Sequence, residues 1–460
     1  MNPVTNNRVI AGTTGERDHA GRDKAAVYKK VALRLMPLLV VCYLVSFIDR
    51  TNIGIAQLGL KRDLGFSEGV YALGVSLFFV AFIIFEVPSN ALMARIGARK
   101  TLARIMLFWG AVSVATMFVT SPTSFYVARF LLGMAEAGFF PGCLLLLSYW
   151  FPSARRTRMT AIFFMAIPVS GIIGSLVSGW IMSAFDGIGH LANWQWLFVI
   201  EGIPPMILAV VVYFVLSDTP SDANWLTGPE KQIIEQDLRE EHERKSPKTS
   251  HKGGLRTALS DPRVWILGLG ACAAYTLANV VSFWTPRIIN NAGINDPMTL
   301  GLLSAIPPVA GIVAMQFVGR SSDKHLERRW HTAGCWLVAV IAMLILAFYL
   351  RNPLVVVLLL TVMAAAHYSG LTVFYSIPSI YLTSRAAATG IAFVTAMGSI
   401  AAALAPAMLG WIKTVTGSIS LGLVASGGII FVGILVVLIG VSAKSLKERD
   451  QQRRAGTIPV

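Results

Sequence analysis

The chain has 460 residues, of which 55% are hydrophobic and only 14% charged, and its mean hydropathy is +0.64. A soluble protein of this length carries about 25% charged residues. The composition therefore excludes an ordinary soluble protein and indicates an integral membrane protein. Four cysteines lie apart in apolar segments without the spacing of metal ligands, so we expect no metal site and no cofactor.

Twelve segments are long and apolar enough to cross a bilayer, which takes about 20 mostly apolar residues. In chain order, spans 1 to 12 are predicted at residues 33–57, 69–93, 101–120, 123–149, 159–184, 195–216, 263–289, 298–319, 332–350, 354–380, 386–413 and 419–443. This pattern predicts an all-α integral membrane fold with twelve transmembrane helices in two six-helix bundles. The predicted division is a tail at 1–32, bundles at 33–216 and 263–443, a linker at 217–262 and a tail at 444–460.

The distribution of basic residues predicts the orientation in the membrane. If both tails and the even-numbered connections are cytoplasmic, those regions hold 32 of the 39 lysines and arginines. The positive-inside rule then places both termini in the cytoplasm. The same distribution explains most of the net charge of +15, so we expect no nucleic-acid partner. Within the cytoplasmic linker, Thr227 and Glu230 form a capping-box pattern that predicts a surface helix.

The two halves of the chain carry a repeated motif. The segment after span 2 ends in Arg99-Lys100, and the segment after span 8 ends in Arg328-Arg329 at the same spacing. Internal six-helix repeats are typical of transporters, whose substrate site lies between the repeats. Small residues recur every four positions in span 5 (Ser170, Gly174, Ser178) and span 11 (Gly398, Ala402, Pro406, Gly410). These rows favour close helix packing, either between the halves or within one bundle.

Few ionisable residues lie within the predicted spans: Asp49, Arg50, Glu86, Arg129, Glu136, Glu201 and His367. Such residues are functional candidates, because charge in the membrane is costly. Asp49 and Arg50 are neighbours whose side chains diverge by about 100° on a helix. Arg129 and Glu136 share a helix face but lie about 10 Å apart along the axis. Each of these four charges therefore needs a partner on another helix or on a ligand.

Two arginines and two carboxylates in one cavity would suit an organic anion that moves with protons. The arginine fork matches a carboxylate, and an anion that engages an arginine frees that arginine's carboxylate to take up a proton. Alternatively, the four charges form a static ion-pair network. Glu86 and Glu201 fit better as helix or gate anchors, and His367 as a hydrogen-bonded histidine within the bundle.

The motifs DRTN (49–52), GARK (97–100), RFLLGMAEAGFFPG (129–142), YWFPSARRTR (149–158), WQWLFVIEG (194–202) and SFWTP (282–286) carry a resemblance. Over residues 30–440 the chain resembles the major facilitator superfamily, specifically its anion:cation symporter branch of bacterial permeases for hydroxyphenylacetate, tartrate, galactonate and related acids. The resemblance implies alternating access, proton symport, a place in the bacterial inner membrane and, we expect, a monomer.

The same resemblance implies roles for single residues. Asp49 and Glu136 correspond to proton-coupling sites, and Arg50 and Arg129 to substrate-binding or switching arginines. The repeated loop motif implies a gating group: Arg95, Gly97, Arg99, Asp323 and Arg328. Ala94 stands where the first motif usually has Asp. Further substrate-pocket candidates are polar or aromatic residues of the second half: Tyr275, Asn279, Trp284, Tyr368, Tyr375, Thr395 and Ser399.

The sequence thus favours proton-coupled uptake of a small hydroxy, dicarboxylic or aromatic acid across the lipid bilayer. One alternative is a proton-driven efflux antiporter of the same fold. Another is a membrane receptor for an organic acid, which the absence of a sensor or kinase segment after the spans disfavours. No pairing of a nucleophile with a base indicates an enzyme.

Overall fold

The computed structural model describes residues 7–245, 259–382 and 387–454. Within these ranges the fold is all-helical and contains twelve helical spans that are long and apolar enough to cross a membrane. Their bounds are Lys24–Leu64, Glu68–Met93, Ala98–Phe118, Pro122–Trp150, Arg155–Ala184, Asn193–Val215, Pro262–Asn291, Pro297–His325, Arg329–Phe348, Pro353–Pro378, Gly390–Thr416 and Ile419–Gly440. The twelve predicted spans and the all-α membrane fold are confirmed.

Several spans are not single continuous helices. Span 1 consists of Asn7–Thr51 and Ile53–Leu64, and span 4 of Pro122–Glu136 and Phe139–Trp150. Span 5 divides into Ser153–Phe164 and Ala166–Ala184. Span 7 contains a π-helical turn at Val280–Trp284 between Pro262–Asn279 and Thr285–Asn291. The remaining spans are single α-helices, at Glu68–Ile96, Ala98–Ala115 (with a 3₁₀ turn at Thr116–Phe118), Asn193–Val215, Pro297–His325, Arg329–Phe348, Pro353–Tyr381, Ala387–Thr416 and Ile419–Gly440.

Helix extends beyond the predicted membrane segments at both ends of the chain. The first helix begins at Asn7, well before the predicted start of span 1 at residue 33. A further helix, Ala443–Arg454, follows span 12 and lies in the predicted tail. Hydropathy marks where a helix is apolar enough for lipid and not where its backbone hydrogen bonding begins, which accounts for both differences.

The linker helix, Gly228–Lys245, lies where the capping-box pattern predicts it. The carboxylate of Glu230 accepts a hydrogen bond from the Thr227 N–H at 2.8 Å. Lys30 holds the same carboxylate at 2.8 Å, and Lys24 binds Asp237 at 2.7 Å. Glu230 lies outside the spans, and its hydrogen bond to Lys30 lowers its pKa. These contacts fasten the linker helix to the start of span 1.

The two halves meet through span pairs 5–8 and 2–11. The contacts are close at the end of the molecule opposite the linker helix: Gly179 abuts the Gly301 backbone, and Gly410 abuts Ala72. A Cβ at Gly179 would lie 2.8 Å from the Gly301 Cα. In the named row of span 5, however, Gly174 faces Ile48 and Ser178 binds Glu201, both within the first half. In span 11, Gly410 contacts the other half and Gly398 faces Tyr275 of its own half, so both alternatives that the spacing left open occur.

Polar contacts join the halves at the same end. Arg287 of span 7 donates a hydrogen bond to the carboxylate of Glu68 at the start of span 2. Their side chains are only 8% and 12% exposed, and Lys61 lies 3.5 Å from the same carboxylate. Nearby, the Tyr71 hydroxyl donates to the Phe283 carbonyl at 3.0 Å. This cluster holds the halves together at the end opposite the linker helix.

Candidate functional site

Arg50 and Glu136 form an ion pair between spans 1 and 4. The Arg50 Nη2 lies 2.5 Å from the Glu136 Oε1, and the Ser46 hydroxyl donates to the same oxygen at 2.5 Å. Glu136 is 1% exposed, and its second oxygen, Oε2, is buried without a hydrogen-bond partner. The pair thus leaves one carboxylate oxygen unsatisfied in a buried site, an arrangement that costs free energy unless a proton or another donor arrives.

Asp49 points away from Arg50 and meets a different partner. The Ser113 hydroxyl of span 3 donates to the Asp49 Oδ1, while Oδ2 is buried and unpaired. Asp49 is 1% exposed. The expectation that the two adjacent charges diverge toward other helices agrees with this geometry, although the partner of Asp49 is a hydroxyl and not a cation.

Arg129 is the least satisfied charge in the site. It is 1% exposed, and none of its three guanidinium nitrogens makes a hydrogen bond. Its guanidinium carbon lies 4.9 Å from the centroid of the Phe78 ring, and Asp49 and Glu136 are the carboxylates that act on it electrostatically. A buried guanidinium with a free fork is suited to receive an anion.

Aromatic rings surround Arg50, a feature that the sequence analysis missed. Its guanidinium carbon lies 5.0 Å from the ring centroid of Phe47, 5.1 Å from Phe82 and 5.4 Å from Phe78. Phe78 therefore lies against both Arg50 and Arg129. The signal in the sequence is the pair Phe78 and Phe82, one helical turn apart on span 2, but only the packing shows that they face span 1.

Two interruptions of regular helix lie next to the charged residues. In span 1, the interruption is confined to Asn52, which keeps α-helical φ and ψ angles of −56° and −29° and donates its N–H to the Ile48 carbonyl at 2.9 Å. In span 4, the helix ends at Glu136, and Gly138 adopts a left-handed conformation with φ of 90°. A Cβ on Gly138 would lie 2.4 Å from the Ser89 Oγ, so this position needs glycine for its conformation and for its space. Discontinuous helices are common at transporter substrate sites.

A cavity of about 50 Å³ with both polar and apolar lining lies between the halves beside Asn52 of span 1. Its lining includes Thr51, Asn52 and Ser178 from the first half and Thr285 and Tyr368 from the second. The sequence analysis predicted one cavity lined by all four charges. In the structure Asp49, Arg129 and Glu136 are buried outside this cavity. The cavity is lined instead by Thr51 and Asn52, the two residues that follow Arg50 in the chain.

The other predicted pocket residues divide into three kinds. The Tyr275 and Tyr375 hydroxyls are 3.2 Å apart and both residues are half-buried. Asn279 and Thr395 donate to carbonyls of their own helices, those of Tyr275 and Ile391. Trp284 is fully buried and packs edge-on against Tyr71, and Ser399 is half-buried on span 11. The tyrosine pair and Tyr368 therefore fit a binding role best.

The predicted gating residues occupy two separate networks at the linker end. Arg328 binds Asp323 at 2.9 Å and Asp450 of the C-terminal helix at 3.2 Å. In the first half, the Arg99 N–H donates to the Asp218 carboxylate at 2.7 Å, and Gly97 lies against that carboxylate. Asp218 thus supplies a carboxylate to the first loop motif, in which Ala94 stands at the position of the usual Asp. The sequence analysis did not select Asp218. Arg95 is exposed.

Three further ionisable residues were singled out within the predicted spans. Glu86 is half-buried, with an Asn90 amide hydrogen bond to its backbone carbonyl. Glu201 is 5% exposed and accepts a hydrogen bond from the Ser178 hydroxyl at 2.7 Å. His367 is 3% exposed, its ring lies 4.9 Å from that of Tyr368, and its Nδ1 has no hydrogen-bond partner.

Two halves of six helices with charged residues at helix breaks suggest a transporter family, and a comparison of sequences decides which. The family model described as Major Facilitator Superfamily matches residues 39–406. The chain belongs to the Major Facilitator Superfamily. Its relatives in this family are named as transporters, and the protein is not an enzyme.

Relatives from bacteria cover almost the whole chain. A Pseudomonas putida protein, provisionally named metabolite transport protein NicT, is 39% identical over 93% of this chain and 98% of its own length. An Agrobacterium vitis protein, provisionally named a tartrate transporter, is 40% identical over 90% and 94%. The quinolone resistance transporter of Acinetobacter baumannii is 35% identical over 92% and 97%. These similarities identify the protein as a multi-pass membrane transporter of metabolites.

A solved structure shows the same fold. The inward-open xylose transporter XylE of E. coli matches with a TM-score of 0.71 over 91% of this chain and 98% of its own. The sequence identity is only 16%, so this likeness concerns the fold alone.

Proposed function

We propose that the protein is a proton-coupled symporter that imports a small organic carboxylate by alternating access. It would lie in the bacterial inner membrane as a monomer, with both termini and the linker in the cytoplasm and with the six-span halves at 33–216 and 263–443 as its moving bodies. The observation that carries the proposal is the Arg50–Glu136 ion pair beside Arg129, whose guanidinium is buried and free of hydrogen-bond partners.

The proposed coupling is a competition for arginine. A substrate carboxylate that binds the free fork of Arg129 and reaches Arg50 weakens the hold of Arg50 on Glu136. Glu136, buried and already short of one partner, then takes up a proton, and so does Asp49 as the anion approaches. Substrate and protons bind together, and with a monoanion and two protons bound the site carries one net positive charge, which the inward-negative potential favours moving inward.

The membrane potential sets the required number of protons. One net positive charge that moves inward gains about 2.3 kcal/mol per 100 mV of inward-negative potential. A monoanion therefore needs at least two protons to be drawn in by that potential, and Asp49 and Glu136 supply two protonation sites. On the second half, the hydroxyls of Tyr275 and Tyr375 are suited to bind the hydroxyl or ring substituents of the acid.

The substrate class can be tested by a thermal-shift screen of purified protein against hydroxy, dicarboxylic, sugar and aromatic acids. An acid that binds the folded protein raises the melting temperature, and the rise grows with the ratio of its concentration to its Kd. We expect stabilisation by at least one organic carboxylate and none by its uncharged amide. Stabilisation by amides and acids alike would contradict a site built on arginine.

Efflux is a second candidate function, since the A. baumannii relative is named a quinolone resistance transporter. Direction can be tested with labelled acid in proteoliposomes under an inward pH gradient. Symport predicts accumulation that collapses when the gradient is dissipated. If the same gradient instead drives preloaded acid out of the vesicles and no acid accumulates inside, the protein is an antiporter.

A further inference from the structure

Glu201 of span 6 is a buried carboxyl group that the proposed coupling scheme leaves unused. Its Oε1 accepts the Ser178 hydroxyl at 2.7 Å, and its Oε2 is buried without a hydrogen-bond partner. Among the residues that the structure describes, no lysine or arginine forms an ion pair with it. An ionised carboxylate in this setting would be very costly, so Glu201 carries a proton in the state seen here.

The basic residues of the elements around Glu201 lie too far along their helices to neutralise it, except Arg50 of span 1, whose guanidinium is turned to Glu136. Span 6 packs against spans 1, 3 and 5, and Gly202 abuts Gly110 of span 3. Arg104 is six residues from Gly110, roughly 9 Å along the axis. In span 5, Arg158 is 20 residues from Ser178. Lys61 and Arg62 lie more than two turns beyond Asn52, and Asp49 of span 1 is the charged side chain that acts on Glu201.

Asn52 connects Glu201 to Asp49. Its side chain lies close to both carboxyl groups, yet its Nδ2 and Oδ1 are buried and make no hydrogen bond in this state. An amide can donate to an ionised carboxylate through its NH₂ and accept from a protonated one through its oxygen. Asn52 is therefore equipped to pair with one ionised and one protonated carboxyl group, in either order.

The position of Asn52 also makes this connection sensitive to conformation. Regular helix in span 1 is interrupted at Asn52, although its φ and ψ angles stay α-helical. Asn52 and Ser178 both line the cavity between the halves, so a relative movement of the halves changes their surroundings. Water that enters this cavity therefore reaches Ser178, which binds Glu201, and Asn52, which lies beside it.

We propose that Glu201 is a third proton-binding residue of the transporter, linked to Asp49 through Asn52. The inference rests on the proposed function, because it assigns Glu201 to the same proton coupling. Glu201 holds its proton while the halves are closed as in this structure. It exchanges that proton when the cavity beside Asn52 and Ser178 opens to water.

The test measures protons moved per substrate in proteoliposomes, using the carboxylate identified by the thermal-shift screen and a pH-sensitive dye inside the vesicles. We expect Glu201→Gln to lower this ratio by about one proton and Glu201→Asp, which keeps an acid, to leave it at the wild-type value. Glu235→Gln, in an exposed pair of the linker helix, is the control. Transport by Glu201→Gln at the wild-type ratio would overturn the inference.

The outcome distinguishes this inference from the proposed function. If the wild-type protein moves no protons with its substrate, the proposed function itself fails. Should Glu201→Gln not fold, infrared spectroscopy of the wild-type protein and of Ser178→Ala provides a second test. A protonated Glu201 gives a carboxylic C=O band that shifts when the Ser178 hydroxyl is lost. An identical spectrum in Ser178→Ala would overturn the inference.

Discussion

Asp49 and Arg50 are adjacent in the sequence but belong to different parts of the site. Arg50 pairs with Glu136 of span 4, and Asp49 accepts a hydrogen bond from Ser113 of span 3. Helical geometry alone predicts that the two side chains diverge. It cannot predict which partner each one meets, because that depends on how spans 1, 3 and 4 pack. The Ser46 and Ser113 hydroxyls carry no sequence signal that separates them from other serines in the spans.

Arg129→Lys tests the role of the free guanidinium. Lysine keeps the positive charge but presents a single ammonium in place of the planar fork. We expect substrate affinity to fall about tenfold, or about 1.4 kcal/mol, with little change in thermal stability without substrate. The measurement is ligand binding to the purified protein, with Arg351→Lys at an exposed position as the control. Equal affinity for wild type and Arg129→Lys would argue against substrate contact by Arg129.

At the scale of helices, hydropathy predicted the twelve spans and the capping-box pattern predicted the linker helix, but nothing predicted the break in span 4 or the interruption at Asn52. The sequence signals at these two places are Gly138 and Asn52 themselves. A long apolar run outweighs one turn-forming residue in such a prediction. The docking of the linker helix on Lys24 and Lys30 could not be predicted either, because those contacts join residues about 200 positions apart.

Gly138→Ala tests whether the break in span 4 needs its left-handed residue. A side chain in that conformation costs about 1–2 kcal/mol, and the added Cβ also meets Ser89. We expect a melting temperature lower by several degrees and slower transport, because Glu136 directly precedes the break. Gly428→Ala is the matched control, since a Cβ there has open space. If both alanine variants melt alike, the break does not depend on Gly138.

For the whole molecule, the notable feature is that the two halves are joined at the end opposite the linker helix. The repeated basic motifs directed the sequence analysis to the linker end, and so it missed the Glu68–Arg287 pair at the other end. Glu68 and Arg287 lie at span ends, where charged residues are ordinary, and nothing in the sequence distinguishes them. Only the packing of spans 2, 7 and 11 shows that the pair is buried and joins the halves.

Glu68→Gln should loosen that closure. The variant keeps the size of the side chain but removes the charge that binds Arg287, so the halves should separate there more often. The opening can be followed with Ser76→Cys, which replaces a buried serine of span 2 in a protein without its native cysteines. A membrane-impermeant maleimide reacts with this cysteine only when the halves separate and expose it. We expect labelling about tenfold faster, which corresponds to a free energy of opening lower by about 1.4 kcal/mol.

Asp186→Asn is the control for this experiment. It removes an exposed ion pair with Arg62 at the same end, but within one half. Labelling of Ser76→Cys should then stay at the rate of the unmodified background. Equal rates in the Glu68→Gln and Asp186→Asn backgrounds would mean that the Glu68–Arg287 pair does not control opening.

The central claim is that Asp49 and Glu136 couple substrate movement to protons. The most direct measurement compares gradient-driven accumulation with substrate exchange at equal pH, in proteoliposomes that contain wild type, Asp49→Asn or Glu136→Gln. We predict that both variants lose accumulation by at least about tenfold, because each lacks a protonation site, while exchange across the vesicle membrane continues. Accumulation at the wild-type level in both variants would contradict the account.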